Sequence, residues 1–204
     1  MPLSHFLFFL FHPLWIIIKY HILSIGTGTV FVKIPILAVK ERMPVFQVVE
    51  YKGTKEENYL LLIKQLKALV EDEENRIANL SNASALLNQF LTDINWVGFY
   101  LLEKDELVLG PFQGLPACVR IPVGKGVCGT AARERKAIRV PDVEQFPGHI
   151  ACDARSRSEI VLPLIADGEL IGVLDIDSPL KDRFDETDEK YLQMFADVLA
   201  QYVK

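Results

Sequence analysis

Residues 160–177 read IVLPLIADGELIGVLDID, and this stretch decides the fold. Two apolar runs, 160–165 and 170–177, flank Asp167-Gly168, a dipeptide typical of tight turns between antiparallel strands. The stretch therefore predicts a β-hairpin. Four shorter apolar runs, bounded by charged residues, glycines and prolines, predict further strands at 96–102, 107–112, 118–121 and 137–140.

Helical patterns enclose these strands in the sequence. From Lys55, apolar residues recur at spacings of three and four, and a second such pattern covers 77–91. A third pattern follows Asp185, a residue suited to cap a helix. Residues 130–135 are also helix-like, whereas 144–157 predict a loop with room for a short helix. The order predicts one α+β domain with a mainly antiparallel central sheet flanked by helices; a three-layer α/β/α sandwich is the alternative.

The first 42 residues differ from the rest, because 5–37 are largely apolar and contain no acidic residue. The apolar run 6–18 is interrupted by Pro13 and is shorter than the roughly 20 residues that a membrane-spanning helix needs. A signal peptide is a rival interpretation, with a poorly formed charged start and cleavage site. We expect residues 1–42 to be an extension without an assigned role and 43–204 to be the domain, with Met43 as an alternative natural start.

Charge and cysteine content limit the binding partners and the location that we expect. The net charge is −5 and no basic stripe is present, so we expect no nucleic-acid partner. The sequence has three cysteines, Cys118, Cys128 and Cys152. This number is low and odd, which does not suit the disulfide framework of a small secreted domain. A reducing, cytoplasmic location is the expectation.

Three carboxylates lie on the predicted hairpin. Asp175 and Asp177 share a face because side chains alternate along a strand. A three-residue loop would pair Ile165 with Glu169 and place Glu159 opposite Asp175, so we expect all three acids to converge. A strict two-residue loop would shift the pairing by one residue and turn Glu159 to the other face.

Clustered carboxylates repel one another and resist burial, which raises the pKa of at least one and favours a proton donor. Two alternatives stay open. The three acids can be ordinary strand-end residues that face water and pair with Arg155 or Arg157, and carboxylates can also bind a divalent metal.

The cysteines also have competing interpretations. Cys128 lies in a glycine-rich turn, where a buried cysteine often only fills space. Cys152 lies in a polar loop beside Asp153 and Arg155, where exposure and nearby positive charge favour a reactive thiolate. His149 and Cys152 could form half of a zinc site, but no second ligand pair follows at zinc-site spacing.

Several short segments of the sequence form a further pattern: Asn95-Trp-Val-Gly-Phe-Tyr100, Gly110-Pro-Phe-Gln-Gly114, Cys118, Gly126-Val-Cys-Gly-Thr130, His149-Ile-Ala-Cys-Asp153, Ser158-Glu159 and Gly172-Val-Leu-Asp-Ile-Asp-Ser178. Together they resemble the free methionine-R-sulfoxide reductase family, a branch of the GAF domains. The resemblance runs from about Val45 to the C-terminus.

The resemblance implies a role for each candidate residue. Cys152 matches the catalytic nucleophile, Cys118 the usual resolving cysteine and Cys128 a third cysteine able to join disulfide exchange. Trp96 and Tyr100 match the aromatic residues that border the methyl end of the substrate. The acids of the substrate pocket correspond to Glu159, Asp175 and Asp177.

The same resemblance implies the reaction and its partners. The substrate would be free methionine-R-sulfoxide, thioredoxin the electron donor and NADPH the indirect source of electrons through thioredoxin reductase. We expect no bound cofactor, no metal and a homodimer. A non-catalytic GAF sensor of a small molecule and a redox switch without a substrate are the alternatives.

Overall fold

The computed structural model describes residues 20–25, 28–33, 49–150 and 152–204. The chain divides into two compact units, Met1–Val49 and Glu50–Lys204. In the first unit, β1 (Tyr20–Ile25) and β2 (Gly28–Lys33) form an antiparallel hairpin. The apolar run 6–18 and Met43 lie outside the described residues, and the domain boundary at 42/43 stays a prediction.

The second unit contains one sheet and four helices. Its strands are β3 (Trp96–Glu103), β4 (Glu106–Gly114), β5 (Arg120–Pro122), β6 (Ile138–Val140), β7 (Ser158–Ala166) and β8 (Glu169–Ser178). Its helices are α1 (Lys55–Val70), α2 (Arg76–Phe90), α3 (Gly126–Glu134) and α4 (Glu186–Ala200), with a 3₁₀ turn at Val143–Gln145. The strands lie in the order β5-β4-β3-β8-β7-β6 and all pair antiparallel. The predicted α+β class is confirmed.

The two faces of the sheet have different coverings. One face packs against α1, α2 and α4 in an apolar core that includes Phe99 of β3 and Leu174 of β8. Because side chains alternate along a strand, their neighbours Tyr100 and Val173 point to the other face, where they pack with Cys128 of α3. The short α3 leaves room on this second face for a site.

A buried polar link holds α1 against α4. Thr54 and Asp185 cap these two helices with reciprocal side-chain and backbone hydrogen bonds, as predicted for Asp185. The Tyr59 hydroxyl donates to Oδ1 of the buried Asp188 at 2.6 Å, and Lys55 Nζ lies 2.9 Å from Asp188 Oδ2. The helical layer is thereby fixed by hydrogen bonds as well as by apolar packing.

Helix α3 begins at Gly126, four residues before the predicted start at Thr130. Glycines weaken a helical pattern because they have poor helix propensity. Gly129 is nevertheless required, since a Cβ there would collide with the Pro122 carbonyl oxygen. The earlier start of α3 places Cys128 in the first turn of the helix.

In the part of the chain that the structure describes, no helix is long and apolar enough to cross a bilayer.

Candidate active site

The turn between β7 and β8 differs from the prediction. Ala166, not Ile165, pairs with Glu169, so the loop has two residues and the predicted three-residue loop is wrong. Asp167 and Gly168 both have positive φ, 52° and 82°. Paired positive φ angles give the turn whose twist matches that of the two strands, which is why an Asp-Gly dipeptide closes here without an extra residue.

A β-bulge nevertheless brings the three carboxylates to one face. Ile171 of β8 has no partner in β7, and the pairing beyond it is displaced by one residue. Glu159 therefore lies opposite Asp177 rather than opposite Asp175. Directly opposed residues point to the same side, so Glu159 joins Asp175 and Asp177 on the face that carries α3. The expected convergence is present, but its cause is the bulge.

Burial and mutual repulsion dominate the chemistry of these acids. Glu159 and Asp175 are only 5% and 6% exposed. Loss of hydration raises the pKa of both carboxyl groups, and the charge of a neighbouring acid raises it further. The pKa of Asp177 is raised for the same two reasons. Asp175 Oδ1 finds no hydrogen-bond partner among the described residues.

Cys128 lies directly against this cluster. Its Sγ is 3.9 Å from Glu159 Oε1, and its side chain is buried. Burial raises the pKa of the thiol, as do the charges of Asp175 and Glu159. His149 stands on another side of the cluster, with Nε2 3.5 Å from Glu159 Oε2, and burial lowers the pKa of its imidazole. A neutral thiol and a neutral imidazole therefore face the acids near pH 7.

The other two cysteines form a disulfide. Cys118 and Cys152 are 34 residues apart in sequence, and their Cα atoms are 5.7 Å apart. Both lie in loops and are half-buried. The prediction that a strand starts at Cys118 is wrong, because β5 starts at Arg120. The disulfide occupies the Cys152 sulfur, which leaves no zinc ligand there for a pair with His149.

The two predicted aromatic residues hold the loop that carries Cys118. The Tyr100 hydroxyl donates to the Cys118 carbonyl oxygen at 2.9 Å, and Trp96 Nε1 donates to the Leu115 carbonyl oxygen at 3.1 Å. Their rings stack with centroids 5.9 Å apart. The polar ends of both side chains therefore fix a loop, while their rings form a wall.

Asp153 anchors the loop that carries Cys152, a role that the sequence pattern did not predict. Its carboxylate accepts hydrogen bonds from Asn95 Nδ2 at 2.9 Å and from the Arg155 guanidinium at 2.8 Å. The Arg155 contact holds the pKa of Asp153 well below its usual value. Asn95 also donates to Ser156 Oγ at 3.1 Å. Asn95 precedes β3 by one residue, a position from which its side chain ties the loop to the sheet.

Two small cavities meet at Cys152. The larger, about 30 Å³, is lined by Cys128, His149, Glu159 and the N-terminus of α3, and the smaller, about 10 Å³, lies beside Trp96. Tyr100, Cys152, Asp175 and Asp177 line both of them. Since a water molecule needs roughly 10–15 Å³, this disulfide form has space for one or two waters or an ion. The structure thus brings all eight candidate residues to one place.

Similar proteins identify the family. A GAF-domain model matches residues 75–203. The chain is 62% identical over 156 residues to Protein YtsP of Bacillus subtilis, an alignment that covers 76% of this chain and 96% of that protein. It is 58% identical over 139 residues to the free methionine-R-sulfoxide reductase of Escherichia coli, covering 68% of this chain and 84% of the relative. The chain belongs to the free methionine-R-sulfoxide reductase family of GAF domains.

A solved structure of this family has the same fold. The free methionine-R-sulfoxide reductase of Neisseria meningitidis, in complex with its substrate, is 45% identical with a TM-score of 0.73, over 77% of this chain and 95% of that one. The family resemblance inferred from the motifs is confirmed. Asn95, Asp153 and His149 stood within those motifs, but only the structure reveals their contacts.

The buried acids of the site should lower the free energy of unfolding of the protein. Because the folded-state pKa of Asp175 is raised, its side chain favours folding least at high pH, and this penalty disappears below its ordinary pKa of 3.8. Asp175→Asn should therefore raise the free energy of unfolding by about 1–3 kcal/mol at pH 7, because the amide removes a buried charge and its repulsion with Glu159. The gain should shrink near pH 4. Urea unfolding at both pH values measures it, with the exposed Glu103→Gln as control; an equal change at both pH values would contradict the electrostatic origin.

Proposed function

We propose that this protein reduces free methionine-(R)-sulfoxide to methionine, with Cys152 as the nucleophile and Cys118 as the resolving cysteine. The observation that carries the proposal is the Cys118–Cys152 disulfide on a cavity walled by Glu159 and Asp175. A redox-active sulfur pair beside protonatable buried acids is the arrangement that sulfoxide reduction by thiols requires. Membership of the reductase family supports the same reaction.

The acids would activate the substrate. A sulfoxide sulfur is a poor electrophile until its oxygen accepts a proton or a strong hydrogen bond. Glu159, Asp175 and Asp177 have raised pKa values, so at least one of them can hold a proton near pH 7 and donate it to that oxygen. Trp96 and Tyr100 would border the methyl end, where their stacked rings offer an apolar wall.

The sulfur chemistry then proceeds in three balanced steps. The Cys152 thiolate attacks the activated sulfoxide, and the protonated oxygen passes from the methionine sulfur to Cys152 as the substrate S–O bond breaks. Methionine leaves, and Cys152 becomes a sulfenic acid. The Cys118 thiol attacks the sulfenic sulfur, which releases water and closes the disulfide. The Cα separation of 5.7 Å in the disulfide form is typical of such a bond. An external dithiol then reduces the disulfide and is itself oxidised.

Substrate binding belongs to the dithiol form. A cavity of about 30 Å³ is too small for an amino acid, whereas reduction releases the two loops that the disulfide joins. The loops and α3 surround the carboxylates, so we infer that a free amino acid can enter and a peptide-linked methionine sulfoxide cannot. Cys128 stays a buried neutral thiol and would serve as a secondary partner in disulfide exchange.

Substitution of the nucleophile tests this proposal. With free methionine-R-sulfoxide, thioredoxin, thioredoxin reductase and NADPH, the protein should consume NADPH only when the sulfoxide is present. Cys152→Ser should abolish the consumption. Cys118→Ser is the matched control, because it should still form about one methionine per chain before turnover slows. A Cys152→Ser variant with full turnover would refute the assignment, and no consumption by the unchanged protein would favour a sensor or a redox switch.

Thioredoxin is the proposed reductant, and the surface beside Cys118 supports a protein partner. Leu115 and Val119 lie on either side of Cys118 in sequence, and they are 50% and 64% exposed. Exposed apolar residues next to a disulfide offer a contact surface to a second protein. A small thiol reductant would gain little from such a surface. NADPH would supply the electrons through thioredoxin reductase. The use of this system implies a cytoplasmic location.

A charge on this surface should separate the two kinds of reductant. Val119→Glu should raise the KM for thioredoxin about tenfold, the effect of losing roughly 1.4 kcal/mol of contact energy. Turnover with dithiothreitol should be unchanged, since the pocket is not altered. Leu180→Glu, at an exposed apolar position outside the helical layer, is the control. An unchanged KM for thioredoxin, or an equal loss with both reductants, would show that Val119 does not belong to a docking surface.

We also propose a homodimer, which the family resemblance implies. Leu60 of α1 is 50% exposed and Ile77 of α2 is 56% exposed, so the helical layer has apolar residues that a second copy could cover. The distant position of this layer from the disulfide would leave the site open. Light scattering should give twice the chain mass of 23.1 kDa, and a monomer mass at micromolar concentration would contradict the proposal.

A further inference from the structure

We propose that Cys128, Glu159 and Asp175 form a binding site for a thiophilic divalent cation such as Zn²⁺, with His149 as a fourth ligand. One ligand atom from each of the first three residues lies within 4.8 Å of the others. The site uses none of the atoms of the disulfide. The inference therefore stands or fails independently of the proposed reaction.

The donor set suits zinc. Thiolate, carboxylate and imidazole are its usual protein ligands, and four of them satisfy its tetrahedral preference. Sγ of Cys128 is 3.9 Å from Glu159 Oε1, and His149 Nε2 is 3.5 Å from Glu159 Oε2. These two separations are near those between neighbouring ligands of one tetrahedral ion. His149 lies outside the group of three within 4.8 Å, so its ring would turn toward Cys128 and Asp175 to complete the shell. Magnesium and calcium prefer oxygen ligands and are disfavoured by the thiol.

An unsatisfied atom points to a missing ligand. Asp175 is 6% exposed, lines the larger cavity, and leaves Oδ1 without a hydrogen-bond partner among the described residues. A buried carboxylate oxygen normally has a partner, because an unpaired one costs free energy. A cation in the cavity would supply that partner and would also neutralise the repulsion between Asp175 and Glu159.

The available space favours an ion over an organic ligand in the disulfide form. The cavity of about 30 Å³ is lined by all four proposed ligands. It accommodates one metal ion with a water molecule, but no amino acid. Binding replaces the thiol proton of Cys128, which leaves to solvent as the metal–sulfur bond forms. Because the ion would occupy the acids of the pocket, bound metal and sulfoxide would exclude each other.

The disulfide form allows a sharp spectroscopic test. The sequence has three cysteines, so with Cys118 and Cys152 joined the one remaining thiol is Cys128. Titration of this form with Co²⁺ should give a near-ultraviolet sulfur-to-cobalt charge-transfer band together with visible tetrahedral bands, saturating at one ion per chain. Zn²⁺ should then remove both. Histidines elsewhere in the chain cannot produce the sulfur band.

Three variants complete the test. Cys128→Ser should lose the charge-transfer band, and Asp175→Asn should weaken Co²⁺ binding by at least tenfold. Glu103→Gln, which removes an exposed acid at the end of β3, should bind as the unchanged protein does. Circular dichroism checks that each variant is folded. A titration without a sulfur band, or a band that survives in Cys128→Ser, would overturn the proposal whether or not the protein reduces methionine sulfoxide.

Discussion

One extra residue in β8 determines where the acids of this protein point. Without the bulge at Ile171, a two-residue turn would send Glu159 to the face that packs against α1, α2 and α4. A carboxylate would then lie in an apolar core, and the second face would have two acids and not three. The site depends on this local irregularity, because the bulge reconciles a tight turn with three acids on one face.

The same face concentrates groups that oppose one another. Two buried carboxyls and a buried thiol lie together; burial raises the pKa of all three, and the charges of Asp175 and Glu159 raise that of the Cys128 thiol further. Such an arrangement destabilises the fold, and the apolar core on the other face of the sheet offsets this cost. The stabilising core and the candidate site therefore lie on opposite faces of one sheet.

Sequence patterns predicted most of the fold, for reasons that can be stated. Strong periodicity identified α1, α2 and α4, and the Asp167-Gly168 turn identified the hairpin. The bulge could not be predicted, since no residue type marks Ile171 as unpaired. The start of α3 was missed because glycines selected for close packing obscure a helical pattern. The contacts of Asn95 with Asp153 join residues 58 positions apart, a distance over which single-sequence patterns carry no information.

The carboxylates stand on central strands, whereas Cys118 and Cys152 stand on loops tied down by a few side chains. Strands in the middle of a sheet tolerate little change, but surface loops accept insertions and replacement. The carboxylates are therefore held on a fixed part of the fold, and the loops around them can vary. Replacing only the loops that carry Cys118 and Cys152 could change the reaction, while the apolar core and its helices stay unchanged.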